Sequence, residues 1–377
     1  MSMDCKQRIV QQIRGNAVDR VPMLGGWNLG VKNVAAIAGI SIEEYLLNPE
    51  QGVMRANRAL GVDGMTPPVI PRDMDSIRDG QLEESTFEGV EPEVLQERGA
   101  KVPDTEREIV AKFDAQAAEK RYRAHFESML KLMGDIVLIP TLWEAVAVFP
   151  LYFQYGYEAF LAATALYPEE VERIWWEDSI FARERNKVIV QLYREYDLVP
   201  MLFCGHDICT NRGPMCSPEY LHQSYWPHAK RSLEPFVEAD IRVLHHCDGN
   251  VMPLIDDMIA SGFSGFQGFQ YECNVNPYEI RQRRSLKGEV PLFMAGLSVT
   301  LTLPFGSEQD VIDEVDYMLD FTEGGQGMFL FTSNVTGVEV PPGNIVAAYR
   351  HLAQYDPQKK APRGKREWPW RAAHPEE

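Results

Sequence analysis

IRVLHHCDGN, residues 241–250, is the stretch on which the fold reading turns. Ile241, Val243 and Leu244 form a short β-branched and aliphatic run of the kind found in a buried strand. The run ends in His245, His246, Cys247 and Asp248, side chains able to bind metals and move protons, before Gly249 turns the backbone. An apolar strand that stops in such a cluster looks like the catalytic end of a strand in a (β/α)8 barrel. Side chains alternate along a strand, so His246 and Asp248 share one face while His245 and Cys247 share the other. Only one pair points at a common site, and the stretch by itself leaves both registers open.

On either side, short apolar runs alternate with helical patterns. Strand candidates are RVPMLGG (20–26), GMTPPVI (64–70), DIVLIPTL (135–142), LVPMLFCG (198–205), the IRVLHH run, GFSGFQGF (262–269), PLFMAGL (291–297) and GMFLFTSN (327–334). Between them, EEVERIWWEDSIFARERNKVIVQLYREY (169–196) and EQDVIDEVDYMLDFTEG (308–324) carry apolar residues at helical spacing. Residues 218–233 also read as a helix. Eight strands separated by helices predict an α/β fold, a (β/α)8 TIM barrel that forms a single domain over residues 1–356. The charged region around 72–134 reads as an insertion, a small hairpin and a helix. Residues 357–377 are basic and proline-interrupted, which predicts a flexible C-terminal tail.

Composition excludes several function classes. The 377 residues are 45% hydrophobic and 24% charged, ordinary for a globular protein with a large core. No apolar run approaches the roughly 20 residues of a membrane span. The N-terminal MSMDCKQRIVQQ has no apolar signal segment, so a cytoplasmic protein without a membrane partner is expected. Six sparse cysteines predict free thiols rather than a disulfide framework. A formal net charge of −18 argues against nucleic acid, which needs basic surface to displace counterions.

A barrel builds its site where strands end. Trp27 and Asn28 follow the first strand, Trp143 and Glu144 the third, and His206, Asp207 and Cys209 the fourth. Gln267 and Gln270 close the sixth, and Ser333 and Asn334 the eighth. The loop after the third strand adds Phe149, Tyr152, Phe153, Tyr155 and Tyr157, enough aromatic surface to wall a flat apolar pocket or to pack the loop onto the barrel. Trp27, Asn28, Trp143, Glu144, Tyr152 and Asn334 are the substrate-binding candidates. His206, Asp207 and His246 are the catalytic ones. His246, Asp248 and Cys247 are the metal-ligand candidates, with Cys247 and His245 replacing His246 and Asp248 if the strand register is shifted. Glu144 accepts a hydrogen bond from a substrate hydroxyl or forms an ion pair on the rim. His222 and His228 read as surface or packing residues of the 218–233 helix.

RVP near the N-terminus, TNRGPMCSPEYLHQSYWPHAKR, HCDGNVMPLIDDMIASGFSGFQ, LPFGSEQDVIDEV and SNVTGVEVPPGNI, in this order, resemble the uroporphyrinogen decarboxylase superfamily. The resemblance covers nearly the whole chain, is weakest over 72–134, and implies one (β/α)8 barrel. It also implies one of two chemistries, porphyrinogen decarboxylation or zinc-dependent methyl transfer to or from a corrinoid. The decarboxylase pattern places arginines after the first strand to grip carboxylates, and MLGGWNLGVKN has none. Its aspartate after the second strand has no clear match, although Asp73 lies a few residues on. The methyltransferase pattern of histidine, spacer and cysteine falls on His246 and Asp248, and its further cysteine falls near Ser333 and Asn334. An oxygen-richer zinc suits Lewis-acid work on an ether oxygen better than thiol activation. The resemblance therefore implies the O-demethylase-like branch. In it a methyl group passes from a small methylated substrate, such as an aromatic methyl ether, to the cob(I)alamin of a separate corrinoid protein. No cobalamin-binding DxHxxG signature occurs in the chain. A thiol methyltransferase of the coenzyme M type, a decarboxylase-like lyase and a non-catalytic ligand-binding barrel are the alternatives, and homo-oligomerisation stays open.

Overall fold

Alternation along residues 242–246 sorts the molecule into two apolar layers. Leu244 packs inward with Leu24, Ile139, Met201, Phe203, Leu292, Met294, Phe329 and Phe331. Val243 faces outward into the larger layer between strands and helices, which also takes Leu202, Cys204, Phe293 and Leu330. Full burial of each such side chain contributes roughly 1.5–3 kcal/mol. The computed structural model describes residues 3–28, 30–74, 89–357 and 364–374.

The strands that carry these layers are β1 (Leu24–Gly25), β2 (Gly64–Met65), β3 (Val137–Leu138), β4 (Met201–Gly205), β5 (Arg242–His246), β6 (Phe263–Gln267), β7 (Leu292–Leu297) and β8 (Met328–Thr332). Each falls inside one of the eight apolar runs. Strands β4 to β8 pair in sequence order as a five-stranded parallel sheet that curls into a half-barrel, and β1 to β3 form a second parallel sheet. Isolated parallel bridges, Met23 with Leu330 and Thr141 with Phe203, join the edges of the two sheets. A short antiparallel hairpin, Cys209–Thr210 with Gly213–Pro214, follows β4 and was not legible in the sequence.

At the N-terminal end of the strands, the helix Cys5–Ile13 inserts Ile9 and Ile13 into the inner layer. Its start is fixed by a capping box between Asp4 and Gln7. Arg242 opens β5 there and donates to the carbonyls of Ile13, Ser264 and Val290. Buried Asp63 is held by both Arg8 and Arg20.

Helical expectations hold for Pro168–Glu195 and Glu308–Phe321. Residues 218–233 form two helices instead of one, Pro218–Ser224 and Trp226–Glu238, which meet at Tyr225. Pro227 has no N–H to donate back into the preceding turn, so the first helix cannot run through it. In the region around 72–134, the described residues 89–134 form the helices Glu93–Ala100, Glu106–Val110 and Ala115–Met133 and no strand. Residues 75–88, where part of the expected hairpin falls, lie outside the described residues. Among the described residues, no helix is long and apolar enough to cross a membrane.

Two glycines allow the strand ends to crowd together. Gly205 closes β4 at φ +132°, and a Cβ there would collide with the backbone of His246. Gly268, at φ +117°, would collide with the carbonyl of Cys247. Gly205→Ala is therefore expected to lower unfolding free energy by roughly 3 kcal/mol or more. Gly15→Ala is expected to cost only about 1 kcal/mol, since Gly15 has positive φ but open space around the added Cβ. Denaturant unfolding of the two variants checks the difference.

Candidate metal centre at the strand ends

Register places His246 directly between Gly205 of β4 and Gln267 of β6. The His246 ring is buried, and its Nδ1 lies 2.5 Å from Gln267 Oε1. The Gln267 amide has no freedom to flip, because its Nε2 donates to the carbonyls of Thr332 at 2.7 Å and Ser333 at 2.8 Å. Oε1 is thus an acceptor, the imidazole proton sits on Nδ1, and the Nε2 lone pair is presented to the strand ends.

Two carboxylates meet that lone pair. Nε2 is 3.6 Å from Asp207 Oδ1 and 4.0 Å from Asp248 Oδ1, and one ligand atom from each of the three residues lies within 4.8 Å of the others. Asp207 is steered by the Asp248 backbone N–H, which donates to its Oδ1 at 2.8 Å. Asp248 is steered by Asn334, whose Nδ2 donates to Oδ2 at 2.6 Å. The other oxygen, Asp248 Oδ1, is buried with no hydrogen-bond partner among the described residues. Burial raises the Asp248 pKa above the ordinary carboxylate value, with His246 pulling the other way.

A buried, unpartnered carboxylate oxygen facing an imidazole lone pair and a second carboxylate is costly unless a cation lies between them. The donor set fits a divalent cation of the zinc type. Ligand atoms on one tetrahedral zinc lie about 3.3 Å apart, so the 3.6 and 4.0 Å separations from Nε2 would have to close on binding. With a nitrogen and two oxygens and no sulfur, the set departs from soft thiolate sites. The Asp207 side chain is 41% exposed, which leaves one side of the cluster open to solvent.

Aromatic rings wall the other sides. Trp27, Trp143 and Phe203 approach the His246 ring edge-on, with centroids at 5.8, 5.9 and 6.1 Å. Trp143 is 40% exposed and forms the lip. Tyr152 donates its hydroxyl to the Asp207 carbonyl at 3.1 Å and stacks on Tyr157 at 4.1 Å. The aromatic loop thus divides its work. Tyr152 and Tyr157 stand beside Asp207, whereas Phe149 stacks on Trp175 in the outer layer.

The remaining candidates are placed as follows. Cys247 is not brought to the cluster: its Sγ donates to the Asp248 carbonyl, and a hydrogen bond with Cys209 together with burial pushes its pKa well up, keeping it a thiol. The physical reason is alternation, which turns Cys247 and His245 to the outer layer. His245 is fully buried against Phe263 and held neutral by burial. His206 lies outside the three-residue group; burial pushes its pKa down to about 4, and its Nδ1 has no partner among the described residues. Glu144 accepts from Arg121 and Tyr122, each at 2.8 Å, which ties it to the helix Ala115–Met133 as a rim ion pair. Asn28 caps its own loop by accepting from Gly30 N–H. Asn334 holds Asp248. His222 pairs with Asp257 on the surface, and His228 is a packing residue.

Gln267 had been read only as a strand end. Its role was open to detection through register, since in a parallel sheet it is the neighbour that faces His246.

No protein-family model matches the chain, and no curated protein sequence matches it. Among solved structures, a methyltransferase from Methanosarcina mazei is similar, with a TM-score of 0.62 and 15% sequence identity over 94% of this chain and 99% of that one. The likeness is one of fold.

Asp248→Asn separates stability from binding. The folded-state pKa of Asp248 lies above its unfolded value, so its ionisation begins to cost stability as pH rises through the unfolded value, and the cost is full above the raised one. Below the unfolded value the carboxyl is protonated in both states and the cost disappears. In metal-free protein, Asp248→Asn is expected to raise Tm at pH 7, with the gain shrinking towards pH 4, while cation affinity is lost. Thermal scans at the two pH values after chelator treatment check this.

Proposed function

We propose that the chain is a methyltransferase that removes a methyl group from an oxygen of a small methylated substrate and passes it to the cob(I)alamin of a separate corrinoid protein. Asp207, His246 and Asp248 hold a zinc ion. The observation that carries this reading is the convergence of the His246 Nε2 lone pair, the unpartnered Asp248 Oδ1 and Asp207 Oδ1 on one point. The fold likeness to a methyltransferase lends support, as does the sequence resemblance. We also infer that the eight strands make a closed (β/α)8 barrel, a reading supported by the two parallel bridges at the sheet edges.

Bound zinc supplies a Lewis acid that draws charge off the substrate's ether oxygen. With zinc bound by Asp207, His246 and Asp248, that polarisation would let the ether oxygen leave with the bonding electron pair and then take a proton from water, the methyl group being accepted by the cob(I)alamin of the partner. Gln267 keeps the His246 proton on Nδ1, so Nε2 stays a ligand atom throughout. Asn334 and the Asp248 N–H hold the two carboxylates in place. Trp27, Trp143 and Phe203 exclude water beside the cluster and offer flat apolar surface, which suits an aromatic methyl ether. His206, neutral at pH 7, accepts a hydrogen bond there more readily than it supplies a proton. The absence of sulfur from the donor set weighs against a thiol acceptor.

Elemental analysis is expected to find about one zinc per chain in the wild type and almost none in His246→Ala. With methoxylated aromatics and a cob(I)alamin carrier, the wild type is expected to form methylcobalamin at a rate at least ~100-fold above His246→Ala. A wild-type protein that takes up no metal from zinc-supplemented buffer contradicts the proposal.

A further inference from the structure

Glu314, in the helix Glu308–Phe321, is a fully buried carboxylate that the proposed chemistry does not use. Its hydrogen-bond donors are neutral. Ser298 N–H donates to Oε1 at 2.6 Å, and Thr302 Oγ1 and Trp368 Nε1 donate to Oε2, the latter at 3.2 Å. Burial pushes the carboxyl up to about 7 against the pull of these three donors. Ser298 follows the last residue of β7, and Trp368 comes from the C-terminal segment 364–374, where it and Trp370 are buried.

The same segment grips a second loop. Arg371 donates to the Tyr271 carbonyl at 3.0 Å, and the Trp368 ring lies 5.5 Å from the Tyr271 ring. Arg366 anchors the segment on Asp320 at 2.6 Å. Tyr271 follows Gln270, whose Oε1 accepts from Gly249 N–H at 2.6 Å, immediately after Asp248.

We propose that the C-terminal segment 364–374 is a positioning element of the candidate metal centre, acting through Trp368 and Glu314 on the loops after β6 and β7; this rests on the metal-centre reading above. The connection is continuous. Glu314 fixes Ser298, and the next amide, Val299 N–H, donates to Ser333 Oγ at 3.2 Å. The carbonyls of Ser333 and Thr332 hold the Gln267 amide, which sets the His246 tautomer. Removing the Trp368 N–H loosens the Glu314 end of this chain, and the effect passes through Ser298, Val299, Ser333 and Gln267 to His246.

The test compares zinc affinity, by competition with a chromophoric chelator, and Tm in full-length variants. Trp370→Phe is the packing control, because Trp370 is also buried but its Nε1 has no hydrogen-bond partner among the described residues. Gln267→Leu and Trp368→Phe are expected to weaken zinc binding about tenfold or more. Trp370→Phe is expected to lower Tm to a similar extent with affinity unchanged. Glu314→Gln, which keeps the side-chain shape and removes an acceptor, is expected to reproduce the loss and serves if Trp368→Phe does not fold. Equal affinity in the wild type, Trp368→Phe and Glu314→Gln overturns this inference alone. A wild type that binds no zinc overturns the metal-centre reading and this inference with it.

Discussion

The Gln267 amide can point only one way, because both of its protons are taken by the carbonyls that end β8. Its oxygen is left to accept from His246 Nδ1, and that single hydrogen bond determines what the other ring nitrogen is for. With the proton held on Nδ1, Nε2 is a lone pair facing two carboxylate oxygens, an arrangement that repels itself until a cation arrives. Were the amide turned, its N–H would face Nδ1, the ring proton would move to Nε2, and that nitrogen would donate a hydrogen bond to the carboxylates instead of offering them a lone pair. The tautomer is therefore set by neighbouring strands, and with it whether Nε2 can serve as a ligand atom.

The strand ends carry a cost that the rest of the fold offsets. Asp248 keeps a buried oxygen without a partner, and Gly205 and Gly268 take backbone conformations that side chains rarely adopt. At the other end of the strands, Arg242 satisfies three carbonyls, and Asp63 is matched by two arginines. The arginine contacts brace one end of the strands, while the unpartnered Asp248 oxygen sits at the other, a division that suits chemistry at one pole and maintenance of the fold at the other.

Much of this was legible in the chain. Period-2 alternation through IRVLHHCDGN separated His246 and Asp248 from His245 and Cys247, and the inner and outer layers divide along that line. Eight apolar runs located the eight strands. What alternation within one strand could not supply was register between strands: Asp207 joins the group because β4 lies beside β5, and Gln267 because β6 lies on the other side. Cys247 entered the ligand candidates with His245 through the alternative strand register, and its side chain lies in the outer layer, away from the three-residue group. Glu144 looked available because its partners, Arg121 and Tyr122, are remote in sequence. The Lys- and Arg-rich composition near the C-terminus pointed to a flexible tail, while Trp368 and Trp370 there are buried, Trp368 against Glu314 and Tyr271, which are remote in sequence.

One imidazole nitrogen and two carboxylate oxygens, from His246, Asp207 and Asp248, are the atoms proposed to surround the zinc. X-ray absorption spectroscopy at the zinc edge of the loaded protein reads those atoms directly. The account predicts a first shell of nitrogen and oxygen only, with the outer-shell signature of a single imidazole. A sulfur shell at about 2.3 Å, the length of a zinc–thiolate bond, would mean that Cys247 or another thiol had replaced the carboxylates, and it would contradict the structure of the site described above.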